Sequence, residues 1–255
     1  MADGLVYLYA VGDAVLGEND PSGLTGVDGT PVRVVVDGRL GAVVSTVDPL
    51  HFSEEALRRN LEDLTWLAES AHAHHAVVEA IWQHHPVAPL RLATIYLDDD
   101  NVRGLLRAKD AAFTAALDRI RGRREWGVKA FARRQPDTDA DGNAGDPDLG
   151  PGAAYLLRKR KARERSARAQ QDVQDAAADL HRTSSAAAVA SHLYPPQDPQ
   201  LSGRREPMVL NAAYLVGQSD AARFLDAVQT WHSPHIDHEL TGPWVPYSFA
   251  TLEES

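Results

Sequence analysis

The stretch VRVVVDGRLGAVVSTV, residues 32–47, carries the clearest local folding signal in the chain. Two runs rich in valine flank the pair Asp37-Gly38, which readily takes the positive φ angles of a type I′ turn. β-Branched residues favour the pleated backbone of a sheet because their side chains pack well there. The pattern therefore predicts a β-hairpin. The apolar run LVYLYAV at residues 5–11 predicts a further, buried strand.

Beyond the hairpin, the sequence predicts helices and one irregular strand. Ser53 is placed to cap a helix, and apolar residues then recur in steps of three and four as far as Trp82, with a break expected near Ser70. Residues 86–97 form an apolar run interrupted by Pro89, as in an edge or irregular strand. Acidic residues from Asp98 onward can cap a following helix that ends near Gly122.

The second half has the order β-α-β-β-α-β, which is the ferredoxin-like arrangement. Strands are predicted at residues 125–132, 185–194, 207–217 and 236–249, with a helix at about 153–182 and another capped by Ser219. We therefore predict an α+β protein of two domains. Residues 1–122 form an α+β domain, and residues 123–255 form a modified ferredoxin-like domain with a long helix.

The segment HAHHAVVEAIWQHH, residues 72–85, raises the question of a metal site. On the predicted helix His75 faces the core and His72 lies close to that face, whereas His74 and His84 point elsewhere. Glu79 lies one turn beyond His75 and would be a possible third group. A metal would need another ligand, and no HExxH motif is present. The favoured interpretation is a core histidine that hydrogen-bonds to a neighbour.

Two charged segments could bind partners. The acidic loop QPDTDADGNAGDPDLG, residues 135–150, begins like a calcium-binding loop, but its twelfth position is Asp148, and a flexible linker is the favoured interpretation. The basic run RKRKARERSARAQ, residues 158–170, spreads its cations around the predicted helix. The same helix has a stripe of mostly small residues that is expected to pack, namely Ala162, Ser166, Ala169, Val173, Ala176 and Leu180. A solvated helix is favoured over nucleic-acid binding, since no aromatic residues interleave the charges. Arg158 and Arg165 remain candidates for binding an acidic partner.

Composition narrows the function classes further. The net charge of −10 argues against nucleic-acid binding, and the absence of cysteine excludes disulfides and thiolate catalysis. No run is long and apolar enough to cross a membrane, and we expect a soluble, cytoplasmic chain without cofactors or metals. The motifs of phosphate-binding loops, dinucleotide folds and hydrolase elbows are absent, so we expect no enzyme activity.

Four segments in order resemble the GvpF/GvpL family of gas vesicle proteins. They are PLRLATIY (89–96), EWGVK (125–129), NAAYLV (211–216) and TGPWVPYSF (241–249), the last being the most specific. The resemblance covers nearly the whole chain. It departs from the family pattern at Leu92-Ala93, where the family often has Phe-Gly, a change that could alter strand packing or a contact. The acidic insert at 135–150 is a second departure.

The resemblance implies an accessory or structural protein of gas vesicle assembly, located with gas vesicles in the cytoplasm. Its implied partners are the hydrophobic major shell protein and other accessory proteins. The partner-binding candidates are Trp244, Tyr247 and Phe249, together with Arg158 and Arg165; the three rings could instead seal the core of the second domain. The alternative function is a ferredoxin-like small-molecule binder or cofactorless enzyme that uses His72, His75 and Glu79.

Overall fold

The computed structural model describes residues 4–17, 21, 23–133, 151–198 and 204–250. Its backbone divides into two compact units, one formed by residues 1–125 with 244–255 and the other by residues 126–243. Each unit contains one antiparallel sheet with helices, so the mixed α/β class expected from the sequence is confirmed. The C-terminal segment from Trp244 is grouped with the first unit, whereas the sequence had placed it in the second domain.

Within the described residues, the first unit contains five strands, one of which is central and buried. They are β1 (Leu5–Asp13), β2 (Val32–Asp37), β3 (Leu40–Val47), β4 (Val87–Pro89) and β5 (Ile95–Tyr96). The order is β2-β3-β1-β4, and β5 also pairs with β1. Residues of β1 between its two ends are buried on both faces, which explains its continuous apolar run. The predicted strand over residues 86–97 is two short strands instead, separated by a turn.

The predicted hairpin of β2 and β3 is confirmed, but its turn differs from the expected type. Asp37 pairs with Leu40, which leaves Gly38 and Arg39 as the loop. Gly38 has a φ of 58°, and Arg39 is not among the residues with positive φ. A positive φ at the first loop residue alone is the sign pattern of type II′, where glycine is favoured. Asp37 therefore ends the strand and does not form the turn.

The helices described in the first unit begin at polar residues, and a side chain caps each of them except the last. They are α1 (Pro49–Phe52), α2 (Glu54–Asn60), α3 (Leu64–Trp82), α4 (Asp99–Ala108) and α5 (Asp110–Ile120). Ser53, Asp63 and Asp98 accept hydrogen bonds from backbone N–H groups at the starts of α2, α3 and α4. The helical stretch is thus broken at residues 61–63, where Asp63 starts a new helix. It is unbroken at Ser70, so that prediction was wrong.

Ion pairs connect the hairpin region to α4 and α5. Arg33 makes a bidentate pair with Asp99, with N···O distances of 2.7 and 2.9 Å. Further pairs join Arg39 to Asp110, Arg107 to Asp37 and Arg121 to Asp13. Because these side chains are partly exposed, each pair contributes little to stability.

Within the described residues, the second unit contains four strands and two α-helices in the predicted order. They are β6 (Arg123–Ala132), α6 (Pro151–Ala186), β7 (Ala190–Leu193), β8 (Met208–Gly217), α7 (Ala221–Thr230) and β9 (Ile236–Trp244). The strand order in its sheet is β7-β8-β6-β9. Its core packs Trp126, Tyr214 and Phe224 with the C-terminal part of α6.

Three local predictions for the second unit were wrong. The strand expected at residues 185–194 is limited to β7, because α6 continues to Ala186. Ser219 does not cap α7; its hydroxyl bonds to Asp220, and no side chain caps that helix. The final extended segment ends at Trp244, after which the chain turns. Within the described residues, no helix is long and apolar enough to cross a membrane.

Candidate functional site

The C-terminal segment that follows β9 places its three aromatic residues in different environments. Trp244 is 47% exposed, Tyr247 is partly buried and Phe249 is only 6% exposed. Val245 and Tyr247 pack against the core of the first unit, alongside Tyr7 and Val78. Tyr247 therefore helps to close the first unit. Trp244 is the most exposed of the three rings.

Hydrogen bonds fix this segment to the first unit. The carboxylate of Glu125 accepts from the backbone N–H of Ser248 at 2.9 Å and from its hydroxyl at 2.5 Å. Arg119 donates to the carbonyl oxygen of Phe249 at 3.4 Å. A carboxylate that accepts two hydrogen bonds makes a stronger contact than a neutral acceptor would. The exposed indole of Trp244 consequently precedes a segment that is held in place.

Tyr247 joins the segment to the histidine-bearing helix α3. Its hydroxyl lies 3.4 Å from Nδ1 of His75, and the two ring centroids are 6.0 Å apart. Nε2 of His75 lies 3.9 Å from Oε2 of Glu79. Burial, with a smaller effect from the charge of Glu79, raises the pKa of Tyr247 to about 12. Tyr247 is therefore a neutral phenol at physiological pH.

The core histidine of α3 is His74, and the prediction that His75 faces the core was wrong. His74 is 4% exposed, whereas the side chain of His75 is 41% exposed. The buried face of α3 consists of Ser70, His74, Val77, Val78 and Ile81. The buried face of α3 therefore differs from the face predicted from the sequence by one residue, which is about 100° around the helix. Small and aromatic residues on several sides of α3 leave its buried face ambiguous in the sequence.

His74 hydrogen-bonds to a buried tyrosine, as the favoured interpretation of the cluster required. The hydroxyl of Tyr7 accepts from the backbone N–H of Ala93 at 3.2 Å and lies 2.9 Å from Nδ1 of His74. Which of the two groups donates in this hydrogen bond depends on the tautomer of the neutral imidazole. Burial, with a smaller effect from the neighbouring charge of His75, lowers the pKa of His74 to about 4.

A second buried tyrosine extends this polar network. Tyr9 donates to Ser45 at 3.0 Å and accepts from the backbone N–H of Val27 at 2.9 Å, and Ser45 in turn donates to the carbonyl oxygen of Pro31. The ring centroids of Tyr7 and Tyr9 are 4.7 Å apart. These residues were not singled out from the sequence, although alternation in the run LVYLYAV places both rings on one face of β1. Their arrangement satisfies buried hydroxyls and so serves stability.

The structure offers no support for a metal centre at the histidines. Within the described residues, no group of three or more His, Asp or Glu side chains could hold a metal ion. His72 is exposed, and only His75 and Glu79 of the suggested triad come close to each other. The suggested calcium loop at residues 135–150 lies outside the described residues.

The basic run lies on the N-terminal half of α6, where the helix is exposed on all sides. Every residue from Tyr155 to Arg168 is exposed, including Arg158 and Arg165. Packing begins only near Ala169 and becomes complete at Leu180. The predicted packing stripe is therefore wrong for its first members, Ala162 and Ser166, and correct for the later ones.

Comparisons with known proteins agree with this architecture. A family model described as gas vesicle synthesis protein GvpL/GvpF matches residues 5–251. The chain is 40% identical to gas vesicle protein L of Streptomyces sp. (strain CB03234) over 259 residues, which covers 99% of this chain and 95% of that protein.

Solved structures of the same family share the fold. Crystal structures of GvpF from Anabaena sp. PCC7120 and from Microcystis aeruginosa align with TM-scores of 0.61 and 0.59, at 20% and 19% identity. Each alignment covers 98% of this chain, with 98% and 100% of the respective GvpF chains. At such low identity these two structures bear on the fold alone. Given the match to the family over nearly its full length and its 40% identity to a gas vesicle protein L, the chain belongs to the GvpL/GvpF family of gas vesicle proteins.

Proposed function

We propose that this chain is a non-catalytic accessory factor of gas vesicle assembly that binds the hydrophobic major shell protein and other accessory proteins. The observation that carries the proposal is the half-exposed Trp244, which leads into a segment fixed to the core by Val245 and Phe249. Large aromatic side chains on a pre-ordered backbone are typical anchors of protein interfaces, because little conformational entropy is lost on binding. Tyr247 belongs to the same segment and packs against the core of the first unit.

The chemistry of the proposed partner explains the need for such a surface. A shell subunit with a large apolar face would aggregate in water unless another protein covers it before assembly. An indole that is half in water loses that exposed apolar area when it meets an apolar partner, which favours association. The exposed cations Arg158 and Arg165 supply a separate, polar surface for acidic partners.

We assign the second unit, as part of this proposal, to the ferredoxin-like class. The element order β-α-β-β-α-β and the strand order β7-β8-β6-β9 support the assignment. The extension of α6 beyond its packed half is the modification. The alternative of a small-molecule binder or cofactorless enzyme rested on His72, His75 and Glu79, and the exposure of that group gives the alternative no support.

The test is co-expression of the chain with the major gas vesicle shell protein, followed by affinity capture and measurement of the soluble fraction of shell protein. Trp244→Ala is expected to reduce the captured shell protein and to return the remainder to the insoluble fraction. Tyr194→Ala is the matched control, since Tyr194 is an aromatic residue of similar exposure, 41%, in the other unit.

The folded state of each variant is checked by circular dichroism before capture. Equal capture by folded Trp244→Ala and wild-type protein would exclude Trp244 as the anchor. Failure of the wild-type protein to capture any shell protein would overturn direct binding. Equal losses in Trp244→Ala and in the Tyr194→Ala control would show a general loss of apolar surface, and would also count against a specific anchor.

A further inference from the structure

The exposed half of α6 is strongly basic, although the chain as a whole is acidic. Residues 158–168 contain seven arginine and lysine residues and one glutamate. Arg160 pairs with Glu164 at 3.0 Å, and the described residues offer the other six cations no carboxylate within ion-pair distance. Like charges at this density repel one another. An acidic surface placed against this half of the helix would therefore be favourable.

Apolar side chains precede the cations on the same helix. Tyr155 is 57% exposed and Leu156 is 66% exposed. At about 1.5 Å per residue, Tyr155 and Arg168 lie about 20 Å apart along the axis, which is enough for one continuous contact surface. We name residues 155–168 the basic arm. Its combination of exposed aromatic, leucine and arginine residues is the one that protein interfaces favour.

The first unit carries a surface of complementary character. At the junctions of α1, α2 and α3 three leucines are exposed, namely Leu50 (76%), Leu61 (41%) and Leu64 (79%). The side chain of Asn60 donates to the carbonyl oxygen of His51 at 3.1 Å, which holds the end of α2 beside α1. Exposed acidic residues accompany the leucines, namely Glu62, Asp63 and Glu69. We name this set the leucine corner.

The charge balance of the two units strengthens the match. The first unit contains 21 acidic and 12 basic residues, a net charge of −9. The second contains 15 acidic and 14 basic residues, a net charge of −1, although its basic arm alone carries a net charge of +6. The acidic excess of the chain therefore lies on the first unit, and the second unit concentrates cations in its basic arm; each charged surface lies beside exposed apolar side chains.

We propose that the basic arm of one copy docks on the leucine corner of a second copy. The contact joins two different surfaces, so association is head to tail and either closes into a ring or extends into an open chain. The occupant is a second copy of this chain because the chain itself supplies both the charge and the apolar complement. The proposal goes beyond the proposed function and needs no other protein.

Sedimentation velocity of the purified full chain tests this directly. The weight-average sedimentation coefficient of the wild-type protein is expected to rise with concentration above that of a monomer at about 50 mM NaCl. Raising the salt to about 500 mM should weaken the association at least about ten-fold, since exposed charges are then screened within a few ångströms. A wild-type protein that stays monomeric at all concentrations in low salt would overturn the proposal.

Charge reversal identifies the surfaces. The double variant Arg160→Glu with Arg165→Glu should lower the association constant by about ten-fold or more. The matched control is Arg182→Glu with Arg223→Glu, which makes the same change of charge at exposed positions of the same unit, 73% and 66% exposed. The control should associate like the wild type. Equal loss in both double variants would show an effect of net charge and would refute the assigned surface.

Complementation between two variants is the decisive step. Glu62→Arg with Glu69→Arg changes the three acidic residues of the leucine corner from a net charge of −3 to +1, and by itself it should also prevent association. Mixed with the Arg160→Glu, Arg165→Glu protein, it should restore association, because its unchanged basic arm then meets the unchanged acidic corner of the other variant. A mixture that stays monomeric would overturn the pairing of these two surfaces. Binding of a monomeric wild-type protein to polyglutamate or to phosphatidylglycerol vesicles would assign the arm to another acidic occupant and reject the second copy.

Discussion

Acidification will destabilise the first unit through a single buried residue, His74. The imidazole has a pKa of 6.5 when solvated, and burial lowers this value to about 4 in the folded state. Between these two values the unfolded chain binds a proton that the folded chain does not bind. The free energy of unfolding must therefore fall as the pH falls from 6.5 to 4, with no further contribution from His74 below pH 4.

The size of the effect follows from the shift. Each unit of pKa corresponds to about 1.4 kcal/mol, so the full contribution is about 3 kcal/mol below pH 4 and about 2 kcal/mol at pH 5. Such a loss is a large fraction of the roughly 5 to 15 kcal/mol that stabilises an ordinary domain. The folded state resists protonation mainly because the buried imidazole lacks the solvation that a charged ring needs.

Urea unfolding at a series of pH values measures the prediction. His74→Gln removes the titration while its amide oxygen can still accept from Tyr7, so its stability should depend less on pH in this window. His72→Gln is the control, because His72 is exposed on the same helix and is not among the groups that shift the pKa of His74. Carboxylates titrate alike in all three proteins. Parallel pH curves for wild type and His74→Gln would refute the reasoning.

Three further predictions concern stability. Phe249→Ala should lower the free energy of unfolding by about 3–5 kcal/mol because the ring is 6% exposed. Trp244→Ala should lower it clearly less, since about half of that side chain is already in water. Urea unfolding of both variants measures the two losses, and the reverse order would contradict the packing. Arg33→Met should lower the free energy of unfolding by at most about 1 kcal/mol at low salt, because the ion pair with Asp99 is over a third exposed. In about 1 M NaCl the loss should be smaller, since salt screens the pair. An equal loss at both salt concentrations would show that the substitution removes packing and not a charge interaction. Ala93→Gly should stabilise the folded protein by up to about 1 kcal/mol. Ala93 has a left-handed φ of 61°, and the strain that glycine relieves there exceeds the extra backbone entropy that glycine loses on folding. A lower midpoint of thermal unfolding for the variant would contradict this.

The position of Ala93 also explains a departure noticed in the sequence. The family often has glycine there, and the structure holds this residue at a positive φ that glycine adopts without strain. The backbone N–H of Ala93 donates to Tyr7, and through that hydroxyl the turn between β4 and β5 contributes to the network around His74. Ala93 therefore lies at a strained turn position and donates one hydrogen bond to the network around His74.

Several features were predictable because they depend on neighbouring residues alone. The hairpin follows from alternating β-branched residues around a glycine, and the starts of α2 and α4 follow from Ser53 and Asp98, whose side chains bond to N–H groups within the next three residues. The order of strands and helices in the second half was predictable for the same reason. The gas vesicle family was recognisable from short segments spread along the chain.

Other features depended on contacts between distant residues. The choice of His74 over His75 as the buried ring depends on Tyr7, 67 residues away, and a one-residue change in the buried face of α3 alters no local preference. The C-terminal segment joined the first unit because Glu125 and the apolar core accept it there. The sequence by itself thus determined which elements form and the family. Only the tertiary structure decided which faces are buried, because burial is the property of a partner surface and not of a periodic pattern.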